Sequence, residues 1–179
     1  MQVLREVQML NEYLLVDGPP ADSLPGVADL SLLLHRDSDV LIGLDSFRVW
    51  PAGLGFTLLV RVSPRVAEGE DVFGWLQPEP AERGQPSTAL ELGIRVGDVG
   101  AVWCAPHLPS VETDSVVVQY SGGSAGVSGG DYAWWLSPLP KVGVAFSCRW
   151  TGRGIRAEWV TVEPELWLPA LGRVQPADW

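Results

Sequence analysis

A two-residue alternation of apolar and polar side chains recurs along the chain, and it constrains the fold more than any other feature. The clearest run lies in residues 142–150, and its apolar members are Val142, Val144, Phe146, Cys148 and Trp150. Successive side chains of a β-strand point to opposite faces of the sheet. The alternation therefore predicts strands with one buried face rather than helices.

Eight further segments carry apolar residues in short runs of the same kind: 30–34, 40–49, 56–62, 90–96, 99–104, 115–120, 132–136 and 155–162. The connections between them are rich in turn formers, since the chain has 20 Gly and 15 Pro among its 179 residues. Short strands with such connections are typical of antiparallel sandwiches. We predict an all-β fold, an antiparallel β-sandwich of about eight strands.

One strand changes its buried parity along its length. Ile42 and Leu44 share one face, whereas Phe47 and Val49 have the opposite parity. An extra residue inserted into a strand restores a single buried face. The sequence therefore predicts a β-bulge near residues 45–46.

The two ends of the chain differ from the middle. Apolar residues recur at helical spacing in residues 1–15, which favours a short helix, with a strand as the alternative. We treat residues 1–29 as an N-terminal segment of short helix and linker, and residues 30–179 as the β-sandwich domain. Pro164 suits a first helical turn, and Pro169 interrupts its continuation, so we expect the domain to end in a short helical turn.

Charge and hydropathy exclude several classes of protein. The net charge is −10 and the isoelectric point is near 4.5, which excludes nucleic acid as the main ligand because phosphate backbones require basic surfaces. The sequence has no apolar stretch of the roughly 18–20 residues that a membrane span needs, and it begins without a secretory signal pattern. We expect a cytoplasmic protein that binds neither nucleic acid nor membrane.

Several local motifs resemble a group of uncharacterised single-domain proteins common in actinobacteria. They are residues 47–51 (FRVWP), 55–58 (GFTL), the glycine-rich stretch before 135–140 (WLSPLP), 148–150 (CRW) and 154–155 (GI). Members of the group carry a second aromatic residue where Ser137 stands here, and a longer glycine run. The resemblance implies a soluble bacterial domain, and it implies no activity.

The glycine-rich stretch contains two overlapping G-x-S-x-G matches, centred on Ser124 and Ser128. In a nucleophile elbow the histidine follows the serine, whereas His35 and His107 both precede it. Glycine and serine produce this pattern readily in loops. We therefore predict a flexible hairpin loop between Tyr120 and Tyr132, and keep a serine hydrolase as an alternative.

Cysteine, histidine and carboxylate residues offer two candidate metal sites. Cys104 and His107, together with Cys148 and His35, have the residue types of a zinc site. However, the alternation places Cys148 in the core as a small apolar residue. The acidic runs at 37–39 and 68–71 lack the spacing of a calcium loop, and we expect solvated turns there. No metal or cofactor is predicted.

Tryptophan is abundant, with nine residues in the chain. Trp134 and Trp135 are adjacent in a predicted strand, so their rings lie on opposite faces of the sheet. Most indoles in β proteins fill the core. An exposed indole at Trp135 would nevertheless provide a platform for stacking on sugar rings, as in many carbohydrate-binding modules.

The longest irregular stretch, residues 64–86, contains an apolar cluster at residues 72–76 beside an acidic run. Such a cluster either folds back onto the domain or binds a partner. Phe73 and Trp75 are its aromatic members, and aromatic anchors with a charged rim are typical of docking elements.

These patterns together favour a non-enzymatic binding or assembly module that acts through protein–protein contact. A special form would be an acidic immunity or inhibitor protein that covers a basic partner. The candidate binding residues are Phe73, Trp75 and Trp135. The alternatives are a carbohydrate-binding sandwich with exposed Trp and a serine hydrolase. Exposed edge strands would also allow a homodimer.

Overall fold

A computed structural model gives the fold and describes residues 18–68, 89–106, 110–113 and 115–177. Most of these residues lie in antiparallel strands, and few lie in helices. The strands form two open sheets that pack face to face, together with one short two-stranded ribbon. The predicted all-β antiparallel sandwich is therefore confirmed.

The strands in chain order are β1 (Ser23–Leu24), β2 (Gly26–Val27), β3 (Leu32–Arg36), β4 (Val40–Trp50), β5 (Gly53–Val62), β6 (Leu90–Val96), β7 (Val102–Cys104), β8 (Val111–Glu112), β9 (Val117–Gly126), β10 (Gly129–Ser137), β11 (Val144–Trp150), β12 (Ile155–Arg156), β13 (Val160–Val162) and β14 (Gln175–Pro176). The helical elements are α1 (Pro64–Ala67) and three 3₁₀ turns at Thr151–Arg153, Pro164–Leu166 and Leu168–Arg173.

The larger sheet has the strand order β2-β4-β5-β10-β9-β8, with β3 also paired to β4. The smaller sheet has the order β12-β11-β6-β7, with β13 also paired to β11. All these pairs are antiparallel, as the short connections between many of them require.

The core lies between the two sheets and is built from the apolar members of the alternation. Phe146 of the smaller sheet contacts Phe56 of the larger sheet edge-on, with ring centroids 5.3 Å apart. Phe47 stacks on Phe56 at 5.7 Å. These rings are almost completely buried, as are Trp134 and Trp150. Five of the seven tryptophans in the described residues are buried, and three of these, Trp134, Trp150 and Trp167, belong to this core.

The β-bulge predicted in the fourth strand is present. The register between β4 and β5 shifts between Asp45 and Arg48, and Ser46 adopts a left-handed φ of 54°. Because the bulge reverses the parity, Phe47 and Val49 point into the core. Trp50 consequently lies on the outer face of the larger sheet.

The glycine-rich stretch is not the loop that the sequence predicted. β9 continues to Gly126 and β10 begins at Gly129, so residues 127–128 alone form the turn. A Cβ atom on Gly129 would lie 2.0 Å from the carbonyl oxygen of Val60. Glycine at this position allows the backbones of β10 and β5 to approach closely, so its presence does not require a loop.

The described part of the N-terminal segment joins the sheets. β1 pairs with β14 near the C-terminus, and β2 pairs with β4. The helix predicted within residues 1–15 lies outside the described residues. The helical turn predicted near Pro164 is present as 3₁₀ turns. None of the helices in the described ranges has the length and apolar character that a membrane crossing requires.

Substitution of Gly26 tests the close contact between β2 and the 3₁₀ turn at Leu168–Arg173. A Cβ atom at this position would lie 1.8 Å from the carbonyl oxygen of Ala170. We expect Gly26→Ala to lower the melting temperature by roughly 2–10 °C, because overpacking costs about 1–3 kcal/mol. Gly172→Ala is the control, since its added methyl group would meet nothing within 4 Å. Equal melting temperatures for the two variants, measured by circular dichroism, would contradict the described contact.

Candidate functional site

The outer face of the smaller sheet carries a row of aromatic and charged side chains. We call it the Trp–Arg ladder and define it by Glu91, Gly93, Arg95, Trp103, Arg149 and Trp159. The alternation explains its position: positions 91, 93 and 95 of β6, 103 of β7 and 149 of β11 alternate with core residues, so they face away from the core. Trp159 reaches the same face from the segment between β12 and β13.

The first end of the ladder is an ion pair stacked on an indole. Glu91 and Arg149 are directly opposite each other on β6 and β11. Arg149 donates two hydrogen bonds to the Glu91 carboxylate, Nε to Oε2 at 2.6 Å and Nη2 to Oε1 at 2.9 Å. The Glu91 carboxylate raises the pKa of the Arg149 guanidinium. This guanidinium lies over the Trp103 ring, 4.2 Å from its centroid.

The middle of the ladder is the contact between Trp103 and Trp159. Their ring centroids lie 5.5 Å apart and their planes make an angle of 63°. Gly93 is opposite Trp103 in the register, and a Cβ atom on it would lie 2.9 Å from atoms of both indoles. The two rings can meet over β6 because this position has no side chain.

Hydrogen bonds to β11 place the segment that carries Trp159. The Ser147 hydroxyl donates to the carbonyl of Ala157 at 2.8 Å, and the Ala157 amide donates to the carbonyl of Cys148 at 2.9 Å. Val160 then pairs with Phe146. The backbone of residue 159 is therefore held beside β11, and its side chain crosses β11 to reach Gly93.

The second end of the ladder is Arg95, whose guanidinium lies 5.0 Å from the centroid of the Trp159 ring. Within the described parts of the chain, no carboxylate pairs with Arg95. Both indoles and both guanidinium-bearing residues are half-buried. Each cation–π contact contributes on the order of 0.5–1 kcal/mol at such sites. The ladder is therefore held in place while part of each group still reaches solvent.

The ladder presents indole faces and guanidinium donors, together with the Glu91 carboxylate that Arg149 binds. Indole and guanidinium groups neither act as nucleophiles nor exchange protons near neutral pH. Trp and Arg are the residue types most enriched among the energetically dominant residues of protein interfaces. The sequence alone does not predict this site, because residues on several separate segments meet in it. The available signal was the set of polar and small residues at the outward positions of β6 and β11.

Trp135 does not provide the exposed platform expected from the sequence. It is fully buried on the outer face of the larger sheet, where its ring contacts that of Trp50 edge-on at 5.5 Å. The Trp50 indole in turn donates from Nε1 to the carbonyl of Ser23 at 3.2 Å. The chain near Ser23 thus covers this face. Phe73 and Trp75 lie outside the described residues.

The two serines of the glycine-rich stretch lie far from His35. β4, β5 and β10 separate His35 on β3 from Ser124 on β9, which is about 19 Å at the usual strand spacing. The Ser128 carbonyl accepts a hydrogen bond from Val62 of β5, so Ser128 lies roughly 14 Å or more from His35. His35 therefore cannot activate either serine. His107, the other histidine, lies outside the described residues.

The two cysteines lie on either side of Leu92. Cys104 and Cys148 are both opposite Leu92, on β7 and β11 respectively. This places them two strand spacings apart, about 10 Å, beyond the roughly 7 Å that a disulfide can bridge. Both thiols are free and buried. No group of three or more metal-ligating side chains occurs among the described residues.

The acidic run at 37–39 organises the turn between β3 and β4. Asp37 Oδ1 accepts hydrogen bonds from the amides of Asp39 and Val40, both at 2.7 Å. His35 Nε2 donates to Asp37 Oδ2 at 3.0 Å. Asp39 pairs with Arg65 of α1 at 2.6 Å. These carboxylates are thus engaged in local structure.

Comparison of the chain with protein-family models, with curated proteins and with solved structures produced no match. The resemblance to an actinobacterial group stays a prediction.

The buried cysteines give a prediction for chemical labelling. Burial raises the pKa of both Cys104 and Cys148 to about 12, and the thiolate is the reactive form. We expect both thiols of the native protein to react with Ellman's reagent at least roughly 100-fold more slowly than free cysteine at pH 8. Val127→Cys, at a turn residue that is 72% exposed, should react at the rate of free cysteine. Rapid labelling of Cys104 or Cys148 would contradict the described core.

The turn at Asp37 gives a prediction for pH dependence. The hydrogen bond from His35, followed by those from the Asp39 and Val40 amides, lowers the pKa of Asp37 from 3.8 to about 2. A lowered pKa in the folded state stabilises the fold above about pH 4, and this contribution is lost as the pH falls toward 2. We expect the Asp37 carboxyl to titrate near pH 2 by NMR, and His35→Ala to move its midpoint upward. A midpoint near 4 in the native protein would show that the turn does not form as described.

Proposed function

We propose that this chain is a non-enzymatic binding module that contacts another protein through the Trp–Arg ladder. The observation that carries the proposal is the pair of half-buried indoles, Trp103 and Trp159, each lying against a guanidinium group on an outward-facing sheet surface. Rigid aromatic and Arg groups lose little conformational entropy on binding when they are already held in place. Such groups are well suited to anchor a protein interface.

The geometry favours a protein partner over a carbohydrate. Sugar rings stack on the faces of exposed indoles, and a linear glycan would require two coplanar faces. The planes of Trp103 and Trp159 are inclined by 63°. One face of each ring is already against Arg149 or Arg95. The buried Trp135 offers no replacement platform, so the described residues support the carbohydrate-binding alternative less well.

The charge of the chain suggests the character of the partner. A net charge of −10 attracts a basic protein at long range and accelerates the encounter. Within the ladder, Glu91 neutralises Arg149, whereas none of the carboxylates in the described residues pairs with Arg95. Arg95 would donate to a carbonyl or carboxylate group of the partner. An acidic immunity or inhibitor protein of the bacterial cytoplasm would have these properties. Phe73 and Trp75 remain proposed as a second docking element.

The serine hydrolase alternative has little support. Ser124 lies on β9 and Ser128 lies in the turn between β9 and β10, and the described histidine, His35, is three or more strand spacings away from both. An active serine would need His107. Labelling by a fluorophosphonate probe is the direct test of that alternative.

The proposal is tested by native mass spectrometry of the protein purified gently from its own host. We expect a second polypeptide at fixed stoichiometry with the wild-type chain. Trp159→Ala removes one of the two indoles in the middle of the ladder. It should weaken the affinity for the partner at least about tenfold, since anchor residues contribute about 2 kcal/mol or more to the free energy of binding. Val127→Ala, an exposed apolar residue away from the ladder, is the matched control and should retain the complex.

A milder variant separates binding from folding. Gly93→Ala would place a methyl group against the distal edges of both indoles, which can move without disturbing the core. We expect the complex to weaken while the melting temperature stays within a few degrees of wild type. If both ladder variants retain the partner as well as Val127→Ala does, the ladder is not the docking surface.

A further inference from the structure

The polar groups of the Trp–Arg ladder are mostly hydrogen-bond donors. A guanidinium group has five N–H donors and no acceptor, and an indole has one donor and no acceptor. Arg95 contributes a guanidinium group, and Trp103 and Trp159 contribute the indoles, all at half-buried positions. The acceptor within the ladder is the Glu91 carboxylate, and each of its oxygens accepts a hydrogen bond from Arg149. A partner that fits the ladder must therefore supply acceptors.

Arg156 extends this donor-rich surface by one strand. It is opposite Arg149 in the register between β12 and β11, and residues directly opposite each other in an antiparallel pair share a face of the sheet. The preceding residue, Ile155, belongs to the core, so Arg156 points outward, where it is exposed. The outer face of the smaller sheet thus carries three guanidinium groups on the neighbouring strands β12, β11 and β6.

Two of these three guanidinium groups have no carboxylate partner in the part of the chain that the structure describes. Neither Arg95 nor Arg156 takes part in an ion pair there. Glu158 and Glu163, which are exposed and close to Trp159 in the sequence, form no ion pair with them. Hydrogen bonds between charged groups are about twice as strong as those between neutral groups. Both guanidinium groups would therefore gain most from an ionised acceptor on the partner.

We propose that the ladder binds an acidic segment of the protein partner, with carboxylates on its guanidinium groups and an apolar side chain over the indoles between them. This inference rests on the proposed function, and it specifies the chemistry of the bound segment. Carboxylates match the planar fork of N–H donors that Arg presents. Arg149 uses two of its five donors on Glu91, so it can bind a second carboxylate. The indoles supply the apolar contact at the centre of the interface.

The geometry of the ladder specifies the spacing of the two carboxylates. The two guanidinium groups lie 4.2 Å and 5.0 Å from the centroids of the indoles that they contact, and these centroids are 5.5 Å apart. Arg149 and Arg95 therefore hold their guanidinium carbons within about 15 Å of each other, close to the roughly 14 Å between residues i and i+4 of an extended strand. Side chains at i, i+2 and i+4 of such a segment share one face. We expect an acidic, an apolar and a second acidic residue at these three positions.

The local chemistry of the ladder is compatible with the charge of the whole chain. A net charge of −10 acts at long range and favours a partner that is basic overall. Interactions between exposed charges more than about 8–10 Å apart are largely screened at physiological ionic strength. The groups that touch the ladder are therefore selected by the ladder itself. The partner is then basic as a whole and presents an acidic docking segment.

A set of short peptides tests the chemistry of the bound segment. The probe, STETLTETS, has two Glu residues at the expected spacing with Leu between them, and the controls replace both Glu residues with Gln or with Lys. Binding to the full chain is measured at about 0.15 M salt from the NMR shifts of the Trp103 and Trp159 indole N–H groups. We expect the Glu peptide to bind at least about tenfold more tightly than either control. Equal affinities of the three peptides would overturn the proposal.

Variants that remove one charge locate the bound carboxylates. Arg95→Gln should lower the affinity for the Glu peptide to that for the Gln peptide. Arg48→Gln is the matched control and should bind like wild type, because Arg48 is exposed on the outer face of the larger sheet, on the opposite side of the sandwich. Arg156→Gln changes an exposed residue, so it tests the same point if Arg95→Gln fails to fold. Wild-type affinity in both ladder-side variants would refute the carboxylate contacts.

The acidic run of this chain at residues 68–71 is a competing source of carboxylates. The triple variant Glu68→Gln, Glu70→Gln, Asp71→Asn removes them. We expect the Glu peptide to bind this variant and wild type with affinities that agree within about threefold, since distant charges are screened at the salt concentration used. A tenfold or greater gain in affinity would show that the chain's own carboxylates, from the same or a second copy, occupy the ladder, and the proposal would be wrong.

The outcomes separate this inference from the proposed function. If Trp159→Ala loses the native partner while the Glu, Gln and Lys peptides bind wild type equally, the ladder is the docking surface and the acidic segment is refuted. If Trp159→Ala retains the native partner, the proposed function fails and this inference fails with it. A single-stranded oligothymidine that binds the ladder more tightly than the Glu peptide would identify nucleic acid as the ligand and would overturn both. Loss of the native partner in Trp159→Ala and in Arg95→Gln, with selective binding of the Glu peptide, supports both.

Discussion

The contact between the two sheets at Phe146 determines how the rest of the molecule is arranged. This ring lies 5.3 Å from Phe56 and 6.1 Å from Phe47, so one residue of the smaller sheet is held by two strands of the larger sheet. Burial of aromatic surface is the main gain in such a core. The inner faces of the two sheets are buried against each other, so the opposite face of each sheet points outward. Apolar residues on these outer faces must then be covered by other parts of the chain or stay partly exposed.

The two outer faces differ in how completely their indoles are covered, and the candidate site lies on the less covered face. On the larger sheet, the chain near Ser23 covers Trp50 and Trp135, and both rings are buried away from solvent. On the smaller sheet, Trp103 and Trp159 lie against each other and against two guanidinium groups, and both indoles stay half-buried. An indole that is held in place and still partly exposed is available to a partner, whereas one packed under the chain is structural.

The predicted and observed structures agree where local pattern decides and differ where distant segments meet. The alternation in β6 and β11 and the parity change in β4 were sufficient to predict their strands and the bulge at Ser46. The sequence predicts a loop in the glycine-rich stretch because intrinsic preference favours one there, whereas pairing with β10 keeps the stretch extended. The ladder could not be predicted, because Trp159 reaches Gly93 across an intervening strand.

The sequence by itself determined the fold class, the buried face of most strands and the acidic character of the surface, since each depends on residues close together in the chain or on composition alone. The tertiary structure decided which tryptophans are fully buried and which stay half-buried, and it decided that Leu92 separates Cys104 from Cys148. These features depend on strand order and register. The free energy that sets strand order and register comes from packing between distant segments, which a local pattern does not encode.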